Sequence, residues 1–313
     1  IFSGKRAVRQ IALEHDLILS TVSSAGAEIM KLPLYLKPGI LIFAMSLFSE
    51  NAMPSQQPEL SLGIVPQQAA SKLARLWTPI IIYIQDETGV RLRFKTAKDI
   101  PTFEQRLLAG EYDLAYMNPY HYTVFSQKPG YRAFAKEGEK RLKGIIVTRK
   151  DSTLHQLKGL EGMTLSFPSP AAFAASAVPR AFLREEGIDI TPKYVSSHDS
   201  VYRTVAAGIY PAGGGVLRTF NNVDKNIKGQ LRILYTTDGY TPHALAVHPR
   251  VVSRQVALIR DCLIAMHTDT EGKALLKGIN FSSVVEAEHE DWDDVRALNI
   301  TLLDHLLEAN AIR

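Results

Sequence analysis

Two short apolar segments, each of which breaks at a proline and runs directly into a helical pattern, constrain the fold of this chain most strongly. They are residues 113–122, Asp-Leu-Ala-Tyr-Met-Asn-Pro-Tyr-His-Tyr, and residues 167–180, which begin Phe-Pro-Ser-Pro. In open α/β sheets, ligands bind at the carboxyl ends of such strands, where polar side chains and free backbone N–H groups collect. One turn of this kind in each half of the chain predicts two lobes that face a shared cleft.

Strand and helix patterns alternate along the chain in two units. In the first unit, strands are predicted at residues 60–65, 90–94 and 112–117, with helices at 67–87 and 102–108. In the second, strands are predicted at 163–167, 193–195, 212–216 and 231–235, with helices at 171–186 and 200–207. This order predicts an α/β fold of two doubly wound lobes built on parallel sheets.

The lobe boundaries follow from the extended runs that flank the second unit. The first lobe is predicted to be discontinuous and formed by residues 58–149 and 238–313, whereas the second is continuous and formed by residues 150–237. The chain would then cross between the lobes near residues 148–151 and 236–242. A pair of crossings makes a hinge that can close the lobes over the cleft.

Residues 1–52 are predicted to be an upstream extension and a signal peptide, so that the mature protein starts near residue 53. From Met30 the chain has a basic start, an apolar block at residues 40–48 and a small residue, Ala52. This order is typical of secretory signal peptides, and the block is shorter than the about 20 residues that span a bilayer. We therefore expect a periplasmic protein; the alternative is a cytoplasmic protein with an apolar arm.

The composition excludes some classes of protein. With 46% hydrophobic and 22% charged residues, the chain of 313 residues has the composition of a globular protein. Its formal net charge of +4 comes without a run of Lys and Arg residues, so nucleic acid is not an expected partner. The single cysteine, Cys262, lies in an apolar helical run and can form no internal disulfide.

Side chains at the end of the strand predicted at 112–117 are candidate ligand contacts. They are Tyr116, Asn118, Tyr120 and His121. Aromatic walls with an amide and an imidazole supply shape and hydrogen-bond donors to a small polar solute. The alternative is structural, with tyrosines in the core and Asn118 in an Asx turn before the proline.

The turn at 167–180 predicts an anion site in the second lobe. Ser169 lies between two prolines, and the following helix leaves the N–H groups of Ala171, Ala172 and Phe173 without an acceptor inside that helix. Such donors at the positive end of a helix bind anions without a cationic side chain. The alternative is an ordinary helix start with Ser169 near the cap.

Another three candidates lie where strands end or where the chain crosses between lobes: His198, Arg218 and His243. His198 begins a helix for which Ser197 or Asp199 would supply the cap. Arg218 follows three glycines that permit close backbone approach, and its guanidinium offers a forked donor to an oxyanion. His243 lies just past the second crossing, where a hinge residue can also line the cleft.

The sequence has no Gly-x-Ser-x-Gly elbow, no His-Glu-x-x-His helix and no paired Cys/His set. We therefore predict no catalytic residue, no metal and no cofactor. A metal site formed by His121, His198 and His243 is the alternative, although their spacing does not require them to meet.

Several short motifs, taken in order, resemble a known family. They are Asp113-Leu-Ala, Asn118-Pro-Tyr120, Lys150-Asp-Ser152, Phe167-x-x-Pro170, Ser197-His-Asp199 and Gly272-Lys-Ala-Leu-Leu276. Over residues 60–292 the chain resembles the periplasmic solute-binding proteins of phosphate, phosphite and phosphonate ABC transporters. The resemblance implies the type II periplasmic binding protein fold. It also implies a monomer that delivers a small anionic solute to an ABC permease in the inner membrane.

One departure from this family concerns the ligand. Members typically follow the proline with a Ser/Thr run that binds the oxyanion, whereas this chain has Ala171-Ala-Phe-Ala174. Each lost hydrogen bond to a charged ligand costs about 1.5–3 kcal/mol. The ligand is then a different anion, an organophosphonate with an apolar group, or a solute outside the phosphorus class. For the whole protein, the alternatives are a ligand-binding sensor subunit coupled to a signalling protein, or an enzyme on the same fold.

Overall fold

The computed structural model of the chain describes residues 58–308. The predicted extension and signal peptide, residues 1–52, and the predicted start near residue 53 lie outside these residues. Within the described residues, no helix is both long and apolar enough to cross a bilayer.

The strands of the described residues are numbered in chain order. They are β1 (Leu60–Ile64), β2 (Leu92–Lys95), β3 (Leu114–Met117), β4 (Arg132–Glu137), β5 (Leu142–Arg149), β6 (Thr164–Phe167), β7 (Thr191–Tyr194), β8 (Ala212–Val216), β9 (Leu231–Tyr240), β10 (Ala244–Val247) and β11 (Val284–Glu286). They form two sheets, and each sheet is the centre of one lobe.

The α-helices of the described residues are numbered in the same way. They are α1 (Ala70–Thr88), α2 (Ile100–Leu108), α3 (Pro119–Phe125), α4 (Val178–Glu185), α5 (His198–Ala206), α6 (Leu217–Asn221), α7 (Lys225–Gln230), α8 (Ser253–Ala265), α9 (Thr270–Gly278), α10 (Asp293–Arg296) and α11 (Asp304–Glu308). Short 3-10 helices lie at Leu157–Leu160, Met266–Thr268 and His289–Trp292, and a π-helix lies at Phe173–Ala177.

The sheet of the first lobe is mixed instead of parallel. Its strand order is β11-β4-β10-β3-β1-β2, and β1 pairs in parallel with both β2 and β3. Strand β10 pairs antiparallel with β3 and β4, and β11 pairs antiparallel with β4. The prediction of a parallel sheet is therefore right for β1 to β3 and wrong for the rest, because β10 returns from the other lobe running in the opposite direction.

The sheet of the second lobe is mixed for a similar reason. Its order is β7-β6-β8-β5-β9, with β6 parallel to both β7 and β8. Strand β5, which enters from the first lobe, pairs antiparallel with β8 on one side and β9 on the other. The α/β class and the two-lobe architecture are as predicted.

The chain crosses between the two sheets at residues 138–141 and 241–243. The first crossing was predicted about ten residues too late, near 148–151, because residues 142–149 were assigned to the first lobe. They form β5, whose pairing with β8 from Gly144 to Thr148 fixes it in the second sheet. The second crossing, at residues 241–243, follows β9. It overlaps the end of the predicted interval, 236–242, and extends one residue beyond it.

Polar caps start the helices that leave the strand ends. The Asn118 side chain accepts a hydrogen bond from the His121 N–H at 2.8 Å, so α3 begins directly after β3. Ser197 caps α5 by accepting from the Ser200 N–H at 3.1 Å. Both caps turn the chain from the sheet into a helix at the edge that faces the other lobe.

The π-helix replaces the first part of the helix predicted at 171–186. Both Ser176 and Ala177 donate backbone hydrogen bonds to the carbonyl oxygen of Ala172, which widens this turn. A β-carbon on Gly144 would lie 2.0 Å from the Ala174 carbonyl oxygen, and one on Gly214 would lie 2.1 Å from the Ala175 carbonyl oxygen. The α-helical part, α4, therefore starts only at Val178, and the wide turn lies directly on β5 and β8.

Each lobe has its own apolar core. In the first lobe, α1 buries Leu73, Trp77, Ile80 and Ile84, at helical spacing, against the sheet. The same cluster includes residues 171–175 of the second lobe, so apolar contact continues across the interface. In the second lobe, Ile145 and Ile146 point to opposite faces of the sheet and belong to separate clusters.

Candidate functional site

The carboxyl ends of β1 and β3 in the first lobe face those of β6 and β8 in the second. Hydrogen bonds join the lobes directly at this edge. The His198 N–H donates to the Gln67 carbonyl at 3.0 Å, and the Asn118 amide donates to the Ala171 carbonyl at 3.3 Å. The predicted shared cleft is therefore the interface between the two lobes.

Arg218 is the central cation of this interface. It lies on α6 of the second lobe, and its guanidinium donates to the Tyr116 hydroxyl and, at 2.7 Å, to the Gln67 side-chain oxygen of the first lobe. The guanidinium carbon also lies 5.5 Å from the centre of the Tyr116 ring and 5.8 Å from that of Phe281. Within residues 58–308 its side chain makes no ion pair, so its positive charge is not neutralised by a carboxylate contact.

Histidines 198 and 243 lie on opposite sides of the interface and are both buried. Nδ1 of His198 lies 3.1 Å from the Thr219 hydroxyl, whereas Nε2 of His243 has no partner among the described residues. Burial, with the Arg218 charge adding to it, lowers the pKa of His198 to about 3 and the pKa of His243 well below its usual value. Both rings are therefore neutral at pH 7 and add hydrogen-bonding capacity without charge.

Stacked rings hold His243 in place. Its ring lies 5.0 Å from that of Tyr116 at an interplanar angle of 21°, and Tyr116 in turn lies 4.8 Å from Trp77. Burial raises the pKa of Tyr116, so its phenol stays protonated beside Arg218. These rings form a rigid wall of the first lobe that faces the second.

Among the cavities along this interface, two adjoin each other. The smaller, here named the inner cavity, has a volume of about 10 Å³ and lies between Asn118, His198, His243 and the loop residues 172–175. The larger, here named the outer chamber, has a volume of about 340 Å³ and is lined by Tyr116, Lys140, Leu142, Lys143, Arg218 and Phe281, among others. Leu142 and His243 line both cavities, so the two spaces adjoin.

The predicted anion loop of the second lobe is tightly packed. Ala171, Ala172 and Phe173 are each at most 3% exposed, and the inner cavity beside them has room for about one water molecule. Ser169 is buried, and its hydroxyl has no partner among the described residues. Since the π-helix begins four residues after it, Ser169 is not the helix cap.

Tyr120 and His121 lie in the first-lobe core instead of lining either cavity. The Tyr120 hydroxyl accepts a hydrogen bond from the Leu303 N–H at 2.8 Å. Nε2 of His121 lies 2.9 Å from a Glu104 carboxylate oxygen, between Phe103 and Phe125. The structural alternative therefore describes the environment of Tyr120, and His121 lies in the same core beside Glu104.

A second set of contacts joins the lobes at the start of α1. The Asp199 carboxylate accepts hydrogen bonds from the Gln68 amide at 3.5 Å and the Ala69 N–H at 3.4 Å, and lies 3.8 Å from the Lys72 ammonium group. Lys72 also donates to the Asn222 carbonyl at 2.5 Å. Asp199 therefore joins the two lobes, a contact that the sequence did not predict.

Several residues of the interface were not singled out in the sequence. The sequence pattern placed Gln67 at the start of a helix. In the structure it follows β1, just as Asn118 follows β3 at the same sheet edge, and this position after a strand could have indicated a ligand contact. Leu142 and Phe281 carry no such signal. Among residues 58–308, no group of three or more His, Cys, Asp or Glu side chains could hold a metal ion, so the three histidines do not form one.

Comparison with known proteins gives a consistent result. Residues 62–292 match a family described as the periplasmic substrate-binding protein of phosphonate ABC transporters. The phosphate-import protein PhnD of Mycolicibacterium smegmatis is 23% identical over 211 residues, which are 57% of this chain and 63% of the relative. The matched part therefore spans less than two thirds of that relative.

Solved structures share the fold. A binding-protein component of a phosphonate ABC transporter from Pseudomonas aeruginosa superimposes with a TM-score of 0.72 at 16% identity, over 78% of this chain and 86% of the other. PhnD1 from Prochlorococcus marinus, solved with methylphosphonate, gives a TM-score of 0.70 at 17% identity, over 77% of this chain and 98% of the other. At these identities the likeness concerns the two-lobe fold.

Proposed function

The chain belongs to the family of periplasmic substrate-binding proteins of phosphonate ABC transporters, and we propose that it binds a small phosphorus oxyanion between its lobes. The family consists of transporter binding proteins and not of enzymes. Membership implies export, a small solute as ligand and a membrane permease as partner.

One observation carries this proposal: Arg218 lines the outer chamber, and its guanidinium makes no ion pair among the described residues. A half-buried cation is costly unless an anion or a set of hydrogen bonds compensates it. The fork already donates to Gln67 and Tyr116, and an arginine side chain has five N–H donors in all. The remaining donors suit a planar or tetrahedral oxyanion.

The packing of the loop supports a position next to Arg218 in preference to one against the loop. A tetrahedral oxyanion is several times larger than the single water that the inner cavity admits, and Phe173 fills the space beside it. We propose that the anion occupies the inner end of the outer chamber, where Arg218 supplies charge and Nε2 of His243 supplies a hydrogen bond. Asn118 and residues 171–173 then close the far side.

We infer that the protein acts as a monomer and does not bind nucleic acid, which the absence of a Lys/Arg run supports. We infer that the segment from Met30 through residues 40–48 is a signal peptide, which its order of basic, apolar and small residues supports. We propose that the bound solute is released unchanged.

Titration calorimetry of the protein against phosphate, phosphite, methylphosphonate, sulfate and glutamate tests the proposal. At least one phosphorus oxyanion should bind with a dissociation constant in the micromolar range or below, at least about tenfold more tightly than sulfate. Binding of glutamate without binding of any phosphorus oxyanion would refute the ligand class and leave only the fold in common with the family.

A further inference from the structure

The outer chamber is larger than a bare oxyanion needs. Its volume of about 340 Å³ lies within the range of pockets that hold whole small organic ligands, about 300–1,000 Å³. It is lined by residues of both lobes, among them Arg218, Leu142 and Leu217 of the second lobe. An anion at Arg218 would therefore leave most of the chamber to a substituent.

The walls of the chamber are mainly apolar and fixed. Leu142 and Phe281 are 7% and 6% exposed, and Tyr116 is 3% exposed and held in the ring stack described above. Such walls accept a hydrocarbon chain because burying apolar surface is favourable. The substituent next to the oxyanion is therefore carbon-based.

The rim of the chamber is positively charged. It carries Lys140, Arg141 and Lys143 from the first crossing and the start of β5. Arg141 is neutralised by Asp294 at 2.6 Å, whereas Lys140 donates to the Asn280 carbonyl at 3.0 Å. Lys143 is exposed and makes no ion pair within the described part of the chain.

One carboxylate, that of Glu137, lines the chamber and offsets only one of the positive charges of the rim. Glu137 is 5% exposed, and its oxygens accept from the backbone N–H groups of Lys140 and Ser282. These bonds direct the carboxylate to the backbone of its own lobe. The charges of Lys140 and Lys143 together exceed the single negative charge of Glu137, so the rim keeps a net positive charge that opposes a positively charged substituent.

We propose that the ligand is a phosphonate or phosphate monoester whose short carbon substituent carries a second acidic group, such as a carboxylate. The oxyanion contacts Arg218, the carbon chain lies between Leu142 and Phe281, and the second acidic group reaches the rim lysines. This inference rests on the proposed function and specifies its ligand. It also predicts discrimination against aminoalkylphosphonates, because an ammonium group would face like charges at the rim.

Titration calorimetry with propylphosphonate, 2-carboxyethylphosphonate and 2-aminoethylphosphonate at low salt tests this ligand class. The three compounds share a phosphonate and differ in the end group. We expect the carboxyl compound to bind about tenfold more tightly than the propyl compound, and the amino compound to bind more weakly than either. Equal affinities, or tightest binding of the amino compound, would overturn the inference while leaving an oxyanion site in place.

Variants of the rim give a second readout. In Lys143→Gln, the ratio of the propyl to the carboxyethyl dissociation constant should fall about threefold or more, because one rim charge is lost. Lys158→Gln removes an exposed lysine of the same lobe that lines neither cavity, and it should leave the ratio unchanged. An unchanged ratio in Lys143→Gln would overturn the role of the rim, and failure of all three compounds to bind would overturn the proposed function as well.

Discussion

Replacing Arg218 with alanine should abolish most of the affinity for the anion. The substitution removes a guanidinium that is proposed to donate to the oxyanion, and it also removes the bonds to Gln67 and Tyr116 that join the lobes. Hydrogen bonds between charged groups are worth about 1.5–3 kcal/mol each. Loss of a two-bond contact, partly offset by water entering the chamber, corresponds to about 3 kcal/mol, or about 100-fold in the dissociation constant.

Two further variants separate charge from geometry in this experiment. Arg218→Lys keeps the charge but loses the fork, so we expect a loss of about tenfold. Arg254→Ala removes an exposed arginine on α8, outside the lobe interface, and should change affinity by less than about twofold because solvent screens its charge. Titration calorimetry with methylphosphonate measures all three, after circular dichroism has shown that each variant is folded. An Arg218→Ala dissociation constant within threefold of the wild-type value would refute the reasoning.

Three other predictions concern stability and closure. Burial lowers the pKa of His198 to about 3, so between about pH 6.5 and 3 the unfolded chain binds a proton at this residue while the folded protein does not. The free energy of unfolding therefore falls as the pH falls through that window. In His198→Gln, the slope of this free energy against pH, measured by urea denaturation, should decrease by up to about 1.4 kcal/mol per pH unit. An unchanged slope would show that His198 is solvated. Gly214→Ala places a β-carbon 2.1 Å from the Ala175 carbonyl oxygen and should lower stability by at least about 2 kcal/mol in denaturant melts, whereas Gly229→Ala, with no atom within 4 Å, should not. Asp199→Asn weakens the contact with Lys72 across the interface and should speed ligand release about threefold in stopped-flow measurements, with the association rate nearly unchanged; an unaffected release rate would remove Asp199 from closure.

The sequence predicts those parts of the fold that depend on local patterns. The turn at 113–122 was recognisable because Asn118 and a proline follow an apolar run, and the structure has β3, the cap and α3 there. Local patterns do not predict to which sheet a strand belongs. Residues 142–149 read as an extended segment, but their partners β8 and β9 lie about 70–90 residues further along the chain, so no local signal assigned them to the second lobe.

The sequence indicated that several candidate residues meet between the lobes, but not their individual contacts. Arg218, His198, His243, Tyr116 and Asn118 meet at the interface because they lie at strand ends of two sheets that face each other. Tyr120 follows the same strand, yet its hydroxyl bonds to the Leu303 N–H, a contact across 183 residues that composition and spacing do not reveal. The π-helix was also missed, since it arises from close packing of small residues on β5 and β8.

A crystal structure of the protein grown with methylphosphonate tests the central claim most directly. The account predicts a phosphonate group in the inner end of the outer chamber, with an oxygen within about 3.2 Å of the Arg218 guanidinium. A phosphonate bound by the N–H groups of residues 171–173, with Arg218 still confined to Gln67 and Tyr116, would contradict it. So would a ligand bound outside the interface between the lobes.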